Sequence, residues 1–515
     1  MKISQFFSST KDAKWSNPII IIPILITISL IIRLNHIQSE IPLSLDGVDY
    51  FMYAILIIQN GHLPYGILAT NDGWPIVLSS ILYFFDQNSM FALMNIQRYA
   101  SIIISVLTII PIYLFCKKFL NHTLALLGST LFCFEPHLIQ NSLLGITEPL
   151  FIFLEACCLN LFFSKRPYIV LSSFAAAGLF SLVRYEGLII LIPMSIIFFL
   201  RYRFSYTSMR NYLLAIGSFI VAVLPLSVLR IISRGSDGLT SHAIGTTKSG
   251  TLGVLFNSQQ TSLDFSQGII KVVVYLSWIA FPLFMILIPL GVFCMLKTKE
   301  PKIYELLILS VFLSGVGFYA YSRDFQEIRY LFTLFPIFCI VSSYSFYTIN
   351  RKNQHKLFII SVIMIIMLSV LYLDWKKIDY DLEKERFDDA KFIIAHVQGM
   401  NYYDGGKYIK PAFLAQSWPK LLELDEKKKT TYSIQKIALD DFDSIHKALH
   451  AGKDLGLTHL IIPDKNSSKF LADIFNNESQ YPYLNKIYDS TLLGHKNPLK
   501  VFEIDYEKFE QLNTE

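Results

Sequence analysis

The chain has 515 residues, 53% hydrophobic and 17% charged, with a mean hydropathy of +0.44 and a formal net charge of +5. A soluble globular chain carries about 25% charged residues, so an ordinary soluble fold is excluded for most of the length. Residues 376–515 hold 20 Lys/Arg and 23 Asp/Glu. About half of the charge therefore falls in about a quarter of the chain, which divides it into a membrane part, 1–375, and a small soluble α/β domain, 376–515. The basic excess lies in short clusters between apolar runs, where membrane topology explains it without nucleic acid.

Lys2, Lys11 and Lys14 precede the first apolar run, and no small-residue cleavage site follows it, so it reads as an uncleaved span. A bilayer core takes roughly 20 apolar residues in a helix. About eleven runs qualify or nearly so: Asn17–Leu34, Tyr99–Cys116, Leu124–Gln140, Pro149–Phe163, Tyr168–Val183, Leu188–Leu200, Tyr212–Ile232, Gly268–Leu296, Ile303–Tyr321, Tyr330–Ile349 and Leu357–Leu373. Basic clusters at Lys117–Lys118, Lys165–Arg166, Arg201/Arg203/Arg210, Lys297/Lys299/Lys302 and Arg351/Lys352/Lys356 each stand two spans apart. Loops rich in Lys and Arg stay cytoplasmic. The expectation is a cytoplasmic N-terminus, an extracytoplasmic C-terminal domain and outward-facing chemistry. All six cysteines fall in apolar segments, which excludes a disulfide framework in the soluble domain and any metal-ligand cysteine spacing.

Only 17 acidic residues precede residue 376, and ionisable groups at membrane depth are functional candidates. In Ser44–Ala54, a helix would put Asp46, Asp49, Tyr50 and Tyr53 on one face by their i, i+3, i+4, i+7 spacing. Two such carboxylates suit deprotonation of a hydroxyl, or holding a divalent cation together with Glu148; an interfacial helix with acidic caps is the plainer account. Trp74–Phe85 is too short to span and is expected to lie along the interface. Glu135-Pro136-His137 and Thr147-Glu148-Pro149 both read as helix starts. Glu148 is then a second acid at the outer mouth, and His137 a candidate base or ligand. Arg184-Tyr185-Glu186-Gly187 interrupts two apolar runs. An Arg184–Glu186 interaction is open, but residues i and i+2 on a helix do not face each other, so one or both are expected to serve another partner. Arg323–Arg329 opens the tenth span with arginine on the outer side, where a phosphate is the natural partner.

The order of these pieces resembles the GT-C membrane glycosyltransferases, especially protein O-mannosyltransferases and lipid A aminoarabinose transferases. Asp46, Tyr50 and Ala54 keep the family's spacing in its first outer helix, although Gly47 stands where the second acid of its Asp-Glu pair would be, and Asp49 is the nearest substitute. Arg98-Tyr99-Ala100-Ser101 resembles the arginine start of the next span, Glu148 sits at the second acidic site, and Arg329-Tyr330-Leu331 with Pro336 resembles the late segment whose arginine meets the lipid phosphate. The resemblance covers roughly residues 15–375. It implies transfer of a monosaccharide from a polyprenyl- or dolichyl-phosphate donor to a protein, lipid or glycan hydroxyl, with inversion. Asp46 and Asp49 would be the base, Glu148 would orient the acceptor or help hold a cation, and Tyr50, Arg98, His137, Arg184, Glu186, Arg329 and Tyr330 would bind substrate. The Trp-Trp-Asp-Tyr-Gly signature of oligosaccharyltransferases is absent, which argues against en bloc transfer. A lipid-linked sugar transporter is the rival reading, disfavoured because mid-span positions read as nearly all apolar. A non-catalytic membrane scaffold is the third.

In the tail, a helix is expected from about Leu382 to Val397, a buried strand within Leu455–Pro463, an amphipathic stretch at Ser467–Phe475 and an alternating strand at Leu499–Ile504. No Gly-rich phosphate loop or nucleophile elbow is present. Asp404-Gly405-Gly406 reads as a turn, Lys427–Lys429 as a solvated run, and Asn466-Ser467-Ser468 and Asn477-Glu478-Ser479 as glycosylation triplets.

Overall fold

The computed structural model describes residues 17–65, 71–86, 88–239, 265–298, 301–323, 325–347, 351–397, 400–402, 406–421, 435–436, 442, 444–464 and 469–513. Lys2, Lys11, Lys14, Lys299, Asp324, Asp404, Gly405, Lys427–Lys429 and the triplet at Asn466 lie outside them. The chain forms two units. The first comprises residues 1–37, 50–85 and 95–377; the second comprises 38–49, 86–94 and 378–515.

The first unit is helical. Among the described residues, six helices are long and apolar enough to cross a membrane: Pro18–Asn35, Met90–Cys116, Tyr185–Tyr202, Tyr206–Ser233, Lys302–Ser322 and Lys356–Trp375. Six shorter apolar helices accompany them, Pro167–Val183 and Phe265–Ala280 among them. Local sequence sets many of the starts. Asn17 and Asn121 accept from the Ile19 and Leu124 amides at 3.0 Å, and Pro18, Pro136, Pro149, Pro167 and Pro336 occupy first turns, where no amide is needed. Leu213, Leu214, Val221 and Ile232 of helix Tyr206–Arg234 are exposed, as a lipid-facing surface requires.

Two apolar runs expected as single spans are broken. Leu124–Gln140 divides into His122–Cys133 and Pro136–Ser142, because Pro136 cannot extend a helix and Glu135 caps the next one. Gly268–Leu296 divides into Phe265–Ala280 and Leu287–Thr298, with Pro282 in the break. The second of these packs tightly on Phe335–Tyr344, since a Cβ on Gly291 would lie 1.9 Å from the Val341 carbonyl oxygen. The expected division at Arg184–Gly187 is present. Arg184 is extended at φ −143°, between helix Pro167–Val183 and a 3₁₀ turn, Tyr185–Ile190. Gly187 permits this reversal because a Cβ there would meet the Phe180 ring at 2.9 Å.

The helix interiors are less apolar than the sequence suggests. Arg33 is fully buried and donates to Ser142 Oγ at 3.2 Å, Ser105 Oγ at 3.1 Å and the Cys133 carbonyl at 3.2 Å. Glu155, on helix Glu148–Phe162, is also fully buried, and among the described residues neither of its oxygens has a hydrogen-bond partner.

The second unit is built on a five-stranded mixed sheet. Its strands are β1 (Met400–Tyr402), β2 (Gln435–Lys436), β3 (Leu457–Pro463), β4 (Leu484–Asp489) and β5 (Leu499–Ile504), in the order β2-β1-β3-β5-β4. β1 is parallel to β2 and β3, while β5 is antiparallel to β3 and β4. Alternate residues of a strand face opposite sides. Leu460, Ile462, Phe502 and Ile504 therefore enter one core with helices Ile445–Asp454 and Lys469–Asn476. Ile461, Leu499 and Val501 enter a second core with helices Tyr380–His396 and Ile409–Leu421. Ile41 joins that second core, and the Phe91 ring stands 5.9 Å from Phe387.

Candidate functional site

Three stretches of the first unit, far apart in sequence, meet around one carboxylate. Glu148 opens helix Glu148–Phe162 and its side chain is 2% exposed. Its Oε1 accepts from Arg184 Nη1, and Arg329 Nη1 approaches the same oxygen at 3.4 Å. Thr147 Oγ1 donates to Glu148 Oε2 at 3.3 Å and receives Arg184 Nη1 at 3.3 Å. Arg184 Nη2 donates to Glu186 Oε1 at 2.9 Å, and Arg329 Nε stands 2.8 Å from Glu327 Oε2. Two guanidiniums thus share one buried acid, and each has a second acid of its own.

Aromatic rings enclose the cluster. The Arg184 guanidinium lies 5.8 Å from the centroids of both Phe151 and Tyr330, a cation–π distance. The Tyr50 phenol is also close enough to Arg184 to act on it electrostatically. Tyr321 packs at a tilt against Tyr275, ring centroids 4.7 Å apart, and its hydroxyl donates to the Glu327 carbonyl at 3.0 Å. A phosphate or another anion entering here would meet preset donors in a dry surround, where charge interactions are strongest.

The expected residues divide into those gathered and those not. Glu148, Arg184, Glu186, Arg329 and Tyr330 are gathered, with Tyr50 near them. The expectation that Arg184 and Glu186 would not face each other is corrected: the extended backbone at Arg184 and the 3₁₀ turn after it bring them together, and helical spacing does not apply. His137 Nδ1 stands 2.6 Å from Glu135 Oε1 and its Nε2 3.0 Å from the Tyr372 hydroxyl, so both ring nitrogens are engaged in a separate buried network. Arg98 is buried and donates to Asn95 at 2.7 Å.

Helix Asp46–Asn60 forms as expected, but Tyr50 and Tyr53 are buried while Asp49 is exposed and ion-paired with Lys410. Asp49 therefore does not share the buried face of the tyrosines. Asp46 is half-buried at the helix start, preceded by Leu45 in the left-handed region at φ 49°, a conformation costly for a branched side chain. Among the described residues no three His, Cys, Asp or Glu side chains are grouped to hold a metal ion, the set Asp46, Asp49 and Glu148 included.

Sequence reasoning assigned no role to Glu327, or to the buried ion pair of Asp72 with Arg230. Asp72 had a readable signal, an acid in an acid-poor region directly before Gly73-Trp74-Pro75. Glu327 had none beyond its place beside Arg329.

No family model matches the chain, and no curated protein matches it by sequence. Solved structures do match. ArnT from Cupriavidus metallidurans, bound to undecaprenyl phosphate, is 9% identical, with a TM-score of 0.58 over 94% of this chain and 97% of that one. The Archaeoglobus fulgidus oligosaccharyltransferase AglB, in complex with an inhibitory peptide and a dolichol-phosphate, is 12% identical, with a TM-score of 0.55 over 86% and 69%. An apo form of the same oligosaccharyltransferase gives a TM-score of 0.54. The fold described above is therefore one that this chain shares with ArnT and AglB.

Proposed function

We propose that the protein transfers a monosaccharide from a polyprenyl- or dolichyl-phosphate donor to an acceptor hydroxyl, with inversion, at the extracytoplasmic face of the membrane. The observation that carries this reading is the Glu148 carboxylate shared by Arg184 and Arg329. The buried acid sets the two guanidiniums side by side, and a pair of forked donors suits a phosphate leaving group. The fold adds support, since two solved proteins that share it are held with undecaprenyl phosphate and dolichol-phosphate.

In this reading the acceptor oxygen bonds to the anomeric carbon as the bond from that carbon to the donor phosphate breaks. The hydroxyl proton passes to Asp46, and the departing electron pair stays on the phosphate, whose added charge Arg329 and Arg184 stabilise. Glu148 holds the two guanidiniums in register. Tyr50 and Tyr330 line the donor side. The basic clusters at Lys117–Lys118, Lys165–Arg166 and Arg201 argue for a cytoplasmic N-terminus and an outer soluble domain, which favours a lipid-phosphate donor over a nucleotide sugar.

The test is transfer by purified protein in lipid nanodiscs supplied with a polyprenyl-phosphate sugar and a panel of hydroxyl-bearing peptide, lipid and glycan acceptors. Wild type is expected to release polyprenyl phosphate and glycosylated acceptor, and Asp46→Ala to abolish both. Full activity in Asp46→Ala would remove Asp46 as the base, and no transfer by wild type would remove the enzyme assignment. A second reading, movement of a lipid-linked sugar across the bilayer, is favoured by the buried charges of Arg33 and Glu155. Flux in proteoliposomes lacking acceptor separates the two.

A further inference from the structure

We infer that the Glu327 carboxylate is an internal counter-ion, which occupies the phosphate's place beside Arg329 until a lipid-linked phosphate displaces it; this rests on the donor site proposed above. Three carboxylates, Glu148, Glu186 and Glu327, face two guanidiniums, so the cluster carries one negative charge too many to welcome an anion. The three acids are not equally able to move. The side chains of Glu148 and Glu186 are 2% and 11% exposed, and releasing either would strand a charge in a dry site. Glu327 is 56% exposed, so water can replace Arg329 as its partner at little cost.

The backbone supports such an exchange. The buried Tyr321 hydroxyl holds the Glu327 carbonyl at 3.0 Å, which anchors the main chain and leaves the carboxylate as the moving part. Its Oε2 stands 2.8 Å from Arg329 Nε as a charge contact outside hydrogen-bond alignment, beside a guanidinium whose donors a phosphate oxygen would use. The same exchange run backwards aids turnover. A donor phosphodiester carries one negative charge, whereas the released monoester carries about 1.5 to 2 at neutral pH. The product thus binds the arginines more tightly than the donor does, and the returning carboxylate competes it away.

The experiment is binding of undecaprenyl phosphate to the full-length protein in nanodiscs, wild type against Glu327→Gln, with inorganic phosphate as a parallel arm. Removing one charge next to the bound phosphate in a partly wet site is expected to tighten binding about three- to tenfold. In turnover, the donor KM should fall, while product inhibition strengthens and kcat does not rise. A damaged fold binds more weakly, so a gain in affinity distinguishes charge removal from structural loss. A matching gain for inorganic phosphate assigns the effect to the headgroup alone; a gain confined to undecaprenyl phosphate shows that the lipid chain must seat the headgroup first. If wild type binds undecaprenyl phosphate and Glu327→Gln binds it no better, the inference falls and the donor site stands. If wild type binds none, both fall.

Discussion

Two arginine–carboxylate sites in the helical unit contrast sharply. At the first, Arg230 grips Asp72 with both Nε and Nη2, and its remaining donors reach the Leu182 carbonyl at 3.2 Å and the Asp237 carbonyl at 3.3 Å. The side chains are 1% and 0% exposed, one cation faces one anion, and a Cβ on neighbouring Gly73 would lie 2.5 Å from the Leu182 oxygen. At the second, Arg184 and Arg329 share Glu148, and the outer acid, Glu327, is largely solvated. The first site is saturated and sealed; the second is shared and open on one side. Burial of charge alone does not distinguish the two; a shared acid and a partner that water can reach do.

The largest expected effect lies at the sealed pair. Asp72→Ala leaves Arg230 buried and unmatched, which should cost about 3–5 kcal/mol. Thermal unfolding in detergent measures it, and replacing both partners with apolar residues should recover much of the loss. An unchanged midpoint would make the two sites energetically alike and end the contrast. At the open site, Arg329→Ala should lower transfer by about 10²–10³-fold, about 2.7–4 kcal/mol in the barrier, with a small shift in unfolding. Arg329→Lys should restore only part, because an ammonium lacks the planar fork. Comparable losses of stability and activity in Arg329→Ala would show that this site too is structural.

A smaller effect is expected in the sheet unit, where Asp389 is a buried acid of a third kind. Burial pushes its carboxyl up to about 6, against the hydrogen bond from the Tyr488 hydroxyl at 2.8 Å and the nearby His495 ring, whose Nδ1 stands at 3.3 Å. An acid whose folded value is raised binds its proton more tightly when folded. Its contribution is present below the unfolded value near 3.9 and lost as pH rises to about 6, at most about 3 kcal/mol. Hydrogen exchange across strand β3 should therefore quicken between pH 4 and 6, and Asp389→Asn should flatten that dependence.

Much of the open site was legible because its charges interrupt apolar sequence. Glu148, Arg184 and Arg329 stand out where few ionisable residues occur. Their convergence was not legible, since it needs helix ends separated by 36 and 145 residues to meet. The Arg184–Glu186 pairing was discounted because helical spacing was assumed across a segment whose backbone is extended. Hydropathy cannot see a break inside an apolar run, so the one around Pro282 was missed, and Leu124–Gln140 was expected as one span although Glu135-Pro136 was legible as a helix start. Arg33 and Glu155 were read through for the opposite reason: one charge hardly changes the mean of a long apolar window. In the tail, β3 and β5 carry a period or a continuous apolar run. β1 and β2 are three and two residues long and carry neither, while β4 buries little beyond Leu484.

Ile41 and Phe91 belong to the hydrophobic interior of the sheet unit, yet they come from stretches more than 280 residues upstream of Ile378. A fragment beginning at Ile378 would lack both side chains and present an apolar hollow to water, a surface prone to self-association. Ribosomal synthesis delivers those two plugs long before the sheet exists to receive them. Maturation of this unit must therefore await synthesis of β5, with the upstream segments kept accessible until that strand arrives.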